Sequence, residues 1–393
     1  MASPLKLRTL EPERVRSLEW QAEGTTMADI VAQLSRMSAK LAHGDAGDDE
    51  HPHPRNCVMN MVALVDGDQV ARKVGSIMAD LAAHHPSRSI ILYQHSPDLE
   101  QKIDAGIRCD AHTLVDGAPV QHEQVTLHVQ GAALEHIRSL VEPLLTPDVR
   151  THLWWTGTPP LSDPAMHQAL DLCDTLVVDS AAFERPFDSL LALARLADSV
   201  SSQIGIADLH WARIHTWREV LAQFFEPPSR RGFLHGINGV GIDYAGEGRG
   251  NRVAAGLLAG WLSSTLGWRL KQAAAGRGGV VAAYLEAPAG HPVEVAFRSV
   301  RSEGQPEGEV LGLRIDSVAN RQTASVAIEL DPSREGSAVM RFRVGPDETV
   351  SQRLPIGAAE EADLLIHLLV QGRRDPVFLR SLRAAADLLQ AAR

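Results

Sequence analysis

The sequence predicts an α/β fold: a Rossmann-like, mostly parallel sheet with flanking helices, followed by a C-terminal α+β domain with a largely antiparallel sheet. Three observations carry this. Short apolar runs alternate with helical stripes from Val58 to about residue 225, as parallel strands joined by crossover helices require. After residue 230 the alternation stops and five strand-like segments follow one another. Two helical patterns, near 358–371 and 375–391, come next. At 393 residues the chain exceeds one average domain, and the texture divides it into 1–54, 55–230 and 231–393.

Residues 26–42 place Ile30, Val31, Leu34, Met37 and Leu41 at helical spacing behind Thr26, a capping residue type. HGDAGDDEHPHPR then offers nothing to bury and reads as a linker; His43, His51 and His53 stand there among acids but on no scaffold that would fix metal-ligand geometry. VMNMVALV, a helix from about Asp68 and SIILYQ make a βαβ unit. DAHTLVDG and EQVTLHVQG extend the sheet, and a helix around 132–145 leads into VRTHLWW. TGTPP is that strand's carboxyl-end loop; SDPAMHQALDLC, DTLVVDS and PFDSLLALARLADSVSSQ read as helix, strand and helix. In the second half GVVAAYLEA, PVEVAFRSV, EVLGLRIDSV, TASVAIELD and SAVMRFRVG are the strands, separated by turn-rich pieces.

Composition narrows the function. With 44% hydrophobic and 22% charged residues the chain is an ordinary globular one, and no apolar run approaches the roughly 18 residues of a membrane span. The formal charge of −11 argues against a nucleic-acid partner. Cys57, Cys109 and Cys173 are scattered singly, without zinc-ribbon or C-x-x-C spacing, and read as small buried hydrophobes in a reducing cytoplasm.

Catalytic motifs are missing. GINGVGIDYAGEGRGN holds neither G-x-G-x-x-G nor a P-loop and reads as loop and strand edge. HEQVTLH has its second histidine two places too late for a metalloprotease helix, and G-x-S-x-G is absent. One constellation remains: ligands of open parallel sheets sit outside strand carboxyl ends, so Thr156, Thr158, Asp179 and Ser180 together with Trp155 can line a pocket. Ser180 reads as a cap or turn residue before the next helix in preference to a nucleophile, which would need a histidine base.

The tryptophans raise a different possibility. On a strand Trp154 and Trp155 must point to opposite faces. On one continuous helix Trp217, Val220, Leu221 and Phe224 share an apolar face, while Trp211, Ile214 and Arg218 share another. Trp217 is thus expected in the core and Trp211 at an interface, with Arg218 stacked on its indole.

The succession HPSR, LWWTGTPP, VVDS, LHWARIHTWREVLAQFF and LAGWLSSTLGW resembles the bacterial glucose-6-phosphate dehydrogenase assembly protein family, OpcA, over roughly residues 55–270. Members carry an N-W-A-R segment leading to P-W-R-E; this chain has His210 and Thr216 in place of the asparagine and proline, while Trp211, Ala212, Arg213, Trp217, Arg218 and Glu219 match. The resemblance implies a non-catalytic assembly factor and allosteric activator of the glucose-6-phosphate dehydrogenase oligomer, serving the oxidative pentose phosphate pathway. It implies no cofactor of the chain's own, since NADP and the sugar phosphate belong to the partner. Its candidate docking residues are Trp154, Trp155, Thr156, Gly157, Pro159, Pro160, Trp211, Arg213 and Arg218. The alternative, from the residues alone, is an α/β enzyme or sensor holding a phosphorylated sugar at the TGTPP and VDS strand ends.

Overall fold

Apolar strands and striped helices assemble as the pattern requires, in a computed structural model that describes residues 16–43, 57–95, 98–113, 119–131, 136–200, 203–248, 250–276, 280–346, 349–356, 360–370 and 374–393. The acidic linker with His51 and His53 lies outside the described residues. By compactness the chain divides into Met1–Val177 and Val178–Arg393, well ahead of the change in texture near residue 230. The reason lies in packing: the helix Pro186–Ser199 contacts Pro376–Ala391, and it counts with the second unit despite its α/β surroundings in sequence.

In the first unit β1 (Arg16–Ala22) and α1 (Met27–His43) precede β2 (Met59–Val65), α2 (Asp68–His84) and β3 (Ser87–Gln94). Then come β4 (Lys102–Thr113), β5 (Pro119–Gln130), the short α3 (Ile137–Val141), β6 (Arg150–Trp155), α4 (Pro164–Leu170) and β7 (Thr175–Val178). The strand order is β1-β4-β5-β3-β2-β6-β7. Pairing is parallel from β5 through β7 and antiparallel among β1, β4 and β5. Every residue of β2 is buried, as a central parallel strand covered on both faces demands. Thr26 caps α1 as expected, its Oγ1 accepting from Asp29 N–H at 3.2 Å. A buried ion pair ties the layers together: Arg88 on β3 donates through Nε to Glu123 on β5 at 2.7 Å, and Ser38 of α1 donates to the same carboxylate.

β4 starts earlier than DAHTLVDG suggested, because Ile103, Ala105, Ile107 and Cys109 already alternate with polar residues upstream of it. β1 was not foreseen at all.

The second unit holds α5 (Pro186–Ser199), β8 (Gly205–Asp208), α6 (Leu209–Arg213), α7 (His215–Phe225) and α8 (Pro228–Arg231). β9 (Ile237–Ala245), α9 (Val253–Leu266) and β10 (Arg269–Ala275) lead to β11 (Val281–Glu286), β12 (Pro292–Val300) and β13 (Val310–Ala319). β14 (Gln322–Leu330), β15 (Ser337–Val344), β16 (Val350–Pro355), α10 (Glu361–Val370) and α11 (Pro376–Ala391) complete it. The eight-stranded sheet runs β10-β11-β12-β9-β13-β14-β15-β16, antiparallel except where β12 lies parallel to β9.

β9 is the central strand that the glycine-rich stretch hid. Val240, Ile242 and Tyr244 point into the core, while Gly239 and Gly241 face outward beneath Asp316 and Arg314 of β13. On the inner side α9 is apolar all round and packs on α11 so closely that a β-carbon on Gly260 would collide with the backbone of Ser381 and Ala385.

Candidate functional site

In the first unit β2 and β6 lie side by side and parallel, and the chain leaves them toward opposite edges, through α2 to β3 and through α4 to β7. Their carboxyl ends are therefore a topological switch point, the usual ligand crevice of an open sheet. The TGTPP loop stands there. Thr156 donates to Leu64 O through its amide at 3.2 Å and through Oγ1 at 3.0 Å, which staples the loop to β2. β6 is buried at four consecutive residues, Thr151, His152, Leu153 and Trp154, so both its faces are covered; Trp154 is 3% exposed, and Trp155, at the strand's end, is half-buried. Pro159 is buried; Gly157 and Pro160 keep part of their surface. Sequence reasoning missed a wider polar hollow in the same unit, about 760 Å³, lined by Asp68, His95, Asp104, Arg108, Gln124 and His128. Its lining comes from five separate segments, Glu19–Glu23 among them, and no local motif joins them.

The other half of the expected pocket, Asp179 and Ser180, belongs to the second unit, where both side chains are engaged internally. Asp179 caps the turn, accepting from Ala181 N–H at 3.1 Å, so the cap is Asp179 rather than Ser180. Arg213 grips the same carboxylate with both terminal nitrogens, at 2.7 and 2.6 Å. Burial works against the charge of Asp179, but the Arg213 guanidinium prevails and holds its carboxyl below the usual range.

Ser180 is wholly buried. Its Oγ donates to Asp208 Oδ2 at 2.6 Å and stands 3.3 Å from His210 Nδ1, while Asp208 Oδ1 accepts the amides of Ser180 and His210 at 2.9 and 3.0 Å. A serine, a histidine and an aspartate thus meet, but as a closed knot. The hydroxyl hydrogen is given to Asp208, and all three side chains are buried, so the serine oxygen presents no open face. Burial pushes Asp208 up to about 6, with Asp179 adding to the effect, and drives His210 down to about 4.

Trp211 is the main correction. Expected at an interface, it is 2% exposed, and Trp217 is 1% exposed. The helix drawn through both does not exist: α6 ends at Arg213, Ile214 leaves helical geometry at φ −81°, ψ 7°, and α7 starts afresh. Both indoles therefore turn inward. Trp211 Nε1 donates to Asp375 Oδ2 at 3.0 Å, while Asp375 Oδ1 caps α11 through the amides of Val377 and Phe378. The Arg218 guanidinium does stack on Trp211, 3.4 Å from the ring centroid, and it also donates to Trp211 O. Burial lowers the Arg218 pKa to about 10. Asp375 before Pro376 was a readable helix-start signal; its second oxygen's contact with Trp211 was not.

The GEGRGN loop between β9 and α9 has the strand, glycine loop and helix order of a phosphate cradle, yet a carboxylate of the chain occupies it. Glu307 Oε1 accepts Asn251 N–H at 3.1 Å, and Asn251 Oδ1 in turn accepts Val253 N–H at the start of α9. Among the described residues no cluster of three or more histidine, cysteine or acidic side chains could hold a metal, and no helix is long and apolar enough to cross a membrane.

Two family profiles match the chain: the N-terminal domain of a glucose-6-phosphate dehydrogenase subunit over residues 78–195 and its C-terminal domain over residues 204–382. Curated relatives from Synechocystis sp. and Nostoc punctiforme, both named for OpcA and the OxPP cycle, are 33% identical over 197 residues and 32% over 194. Each match takes in 49% of this chain and 40% of the relative, well under half the length of those proteins. Among solved structures, an oxidoreductase from Sinorhizobium meliloti is similar at 12% identity and a TM-score of 0.47, over 86% of this chain and 97% of its own. A biliverdin reductase from Synechocystis sp. is similar at 9% identity and a TM-score of 0.44, over 85% and 99%.

Proposed function

This chain belongs to the OpcA family of glucose-6-phosphate dehydrogenase assembly proteins, and from that premise we propose that it is a non-catalytic partner that assembles and activates the dehydrogenase oligomer. The observation that carries the reading is the pair of domain profiles, which fall in order along the chain and together span most of it. The Ser180–Asp208–His210 knot agrees with it, because all three of its side chains are buried.

The docking element is the TGTPP turn. Trp155, Thr156, Gly157 and Pro160 retain exposed surface on a loop held rigid by Leu64 O and by the buried Trp154 and Pro159. A rigid aromatic and proline surface binds with little ordering cost. Trp211, Arg213 and Arg218, in the second unit, serve as internal supports of α6 and α7.

An activator shifts its partner only by preferring one state of it, so substrate that favours that state tightens the complex in return. The test is the dehydrogenase rate against substrate concentration, with and without this chain, beside gel filtration of the mixture. A higher rate at subsaturating substrate and co-migration are expected. Superimposable curves with separate elution would overturn the proposal.

A further inference from the structure

The second unit's sheet has two unlike faces. Its inner face packs on α9 and α11, and among the described residues the outer face is open: Arg298, Glu294, Arg314 and Asp316 are exposed there, with Tyr284 47% and Val318 44% exposed. These last are two of the few large apolar side chains left in solvent among the described residues. At the middle, Gly241, Ala296, Gly312 and Ala327 form the floor of a shallow depression of about 190 Å³. Small floor, apolar flanks and charged surround are the layout of a protein interface.

We propose that this face docks a second copy of the chain, sheet against sheet. Size is the first argument. Eight strands about 4.8 Å apart and roughly 25 Å long present on the order of 900 Å², which matches the about 800 Å² per partner of a stable interface. Charge is the second. The chain carries −11 overall, so two copies repel except where a surface is locally neutral. On this face bases and acids are interspersed: Arg298 joins Asp243 at 2.9 and 2.7 Å and Arg341 joins Glu329 at 2.6 Å, with Arg314 3.9 Å from Glu329, and Glu294, Asp316 and Arg343 stand among them. A surface of mixed, balanced sign suits its own two-fold image and gives no preference to a strongly charged partner. The small floor lets two backbones approach near such an axis, as face-to-face sheets about 10 Å apart require.

Sedimentation of the full chain across the micromolar range tests this, together with Ala327→Arg and Ala296→Glu. Both place a charge on the outer face without touching the core, and thermal melting verifies their folding. A reversible dimer is expected, with each substitution weakening it by about tenfold or more. Arg36→Glu, on the exposed side of α1, serves as the control that leaves it intact. Hydroxyl-radical labelling of the unaltered chain supplies a reading independent of folding, since Tyr284 oxidation should fall as concentration rises. A wild-type chain that stays monomeric, a dimer indifferent to both substitutions, or Tyr284 labelling that does not change with concentration would overturn the inference. So would substitutions that abolish only co-migration with the dehydrogenase.

Discussion

Trp154 and Trp155 sit on one unbroken strand, and their alternation came out as the sequence implied; Trp211 and Trp217 sit on two helices that looked like one, and theirs did not. The difference lies in how the two periods propagate. A strand's period of two relates immediate neighbours, so it holds whatever happens further along. A helix carries its phase only while it continues, and a single non-helical residue at Ile214 resets the wheel.

The strongest way to break this comparison is to truncate the indoles one at a time. Trp154→Ala, Trp211→Ala and Trp217→Ala should each cost about 3–5 kcal/mol in thermal or denaturant unfolding, because all three are interior. A Trp211→Ala variant that melts like wild type would restore the continuous helix and place this indole outside.

A smaller effect tests what fixes the break. Asp208 starts α6 by accepting His210 N–H, and it sits in the knot with Ser180 and His210. Its folded pKa, about 6, lies above the roughly 4 of an unfolded aspartate, so its share of stability is full at low pH and is lost as pH rises through 6. His210, at about 4, lies below the roughly 6.5 of an unfolded histidine, so its share is full above that pH and is lost as pH falls through 4. The two slopes oppose each other over nearly the same window, and unfolding of the wild type should vary little through it. Asp208→Asn should leave stability rising by about 3 kcal/mol from pH 4 to 6.5, and His210→Asn should leave it falling by a similar amount from pH 4 to 6. Urea unfolding at several pH values separates them; parallel profiles for both variants would show that the pair is not coupled in this way.

The smallest effect sharpens the strand side. Trp155 is only half-buried, so Trp155→Ala should cost about 1–2 kcal/mol of stability, clearly less than Trp154→Ala. Equal losses from the two would mean that Trp155, at the strand's end, is as deeply packed as Trp154.

The same contrast explains how much could be read in advance. Elements built on local periodicity were legible: α1 with its Thr26 cap, β2 through β3, β6, and the strands β11 through β15. β9 was not, because Gly239 and Gly241 occupy the outward positions where polar residues would have marked alternation. At the candidate site, the placement of the TGTPP loop at a strand's carboxyl end followed from sequence. The knot did not: Asp179 and Ser180 stand nearly thirty positions before Asp208 and His210, and no local pattern links the two segments. Asp375 meeting Trp211 across 164 positions has no local signal of any kind.

The seam between α9 and α11 also sets a timetable. Roughly a hundred residues separate the two helices in the chain, which is on the order of ten seconds of ribosomal synthesis. Throughout that interval α9, apolar on every side, has emerged without the helix that its Gly256 and Gly260 are shaped to receive. The second unit thus spends its birth with an unsheltered hydrophobic rod, and chaperone protection has most to offer the nascent chain between the appearance of Leu266 and the arrival of Pro376.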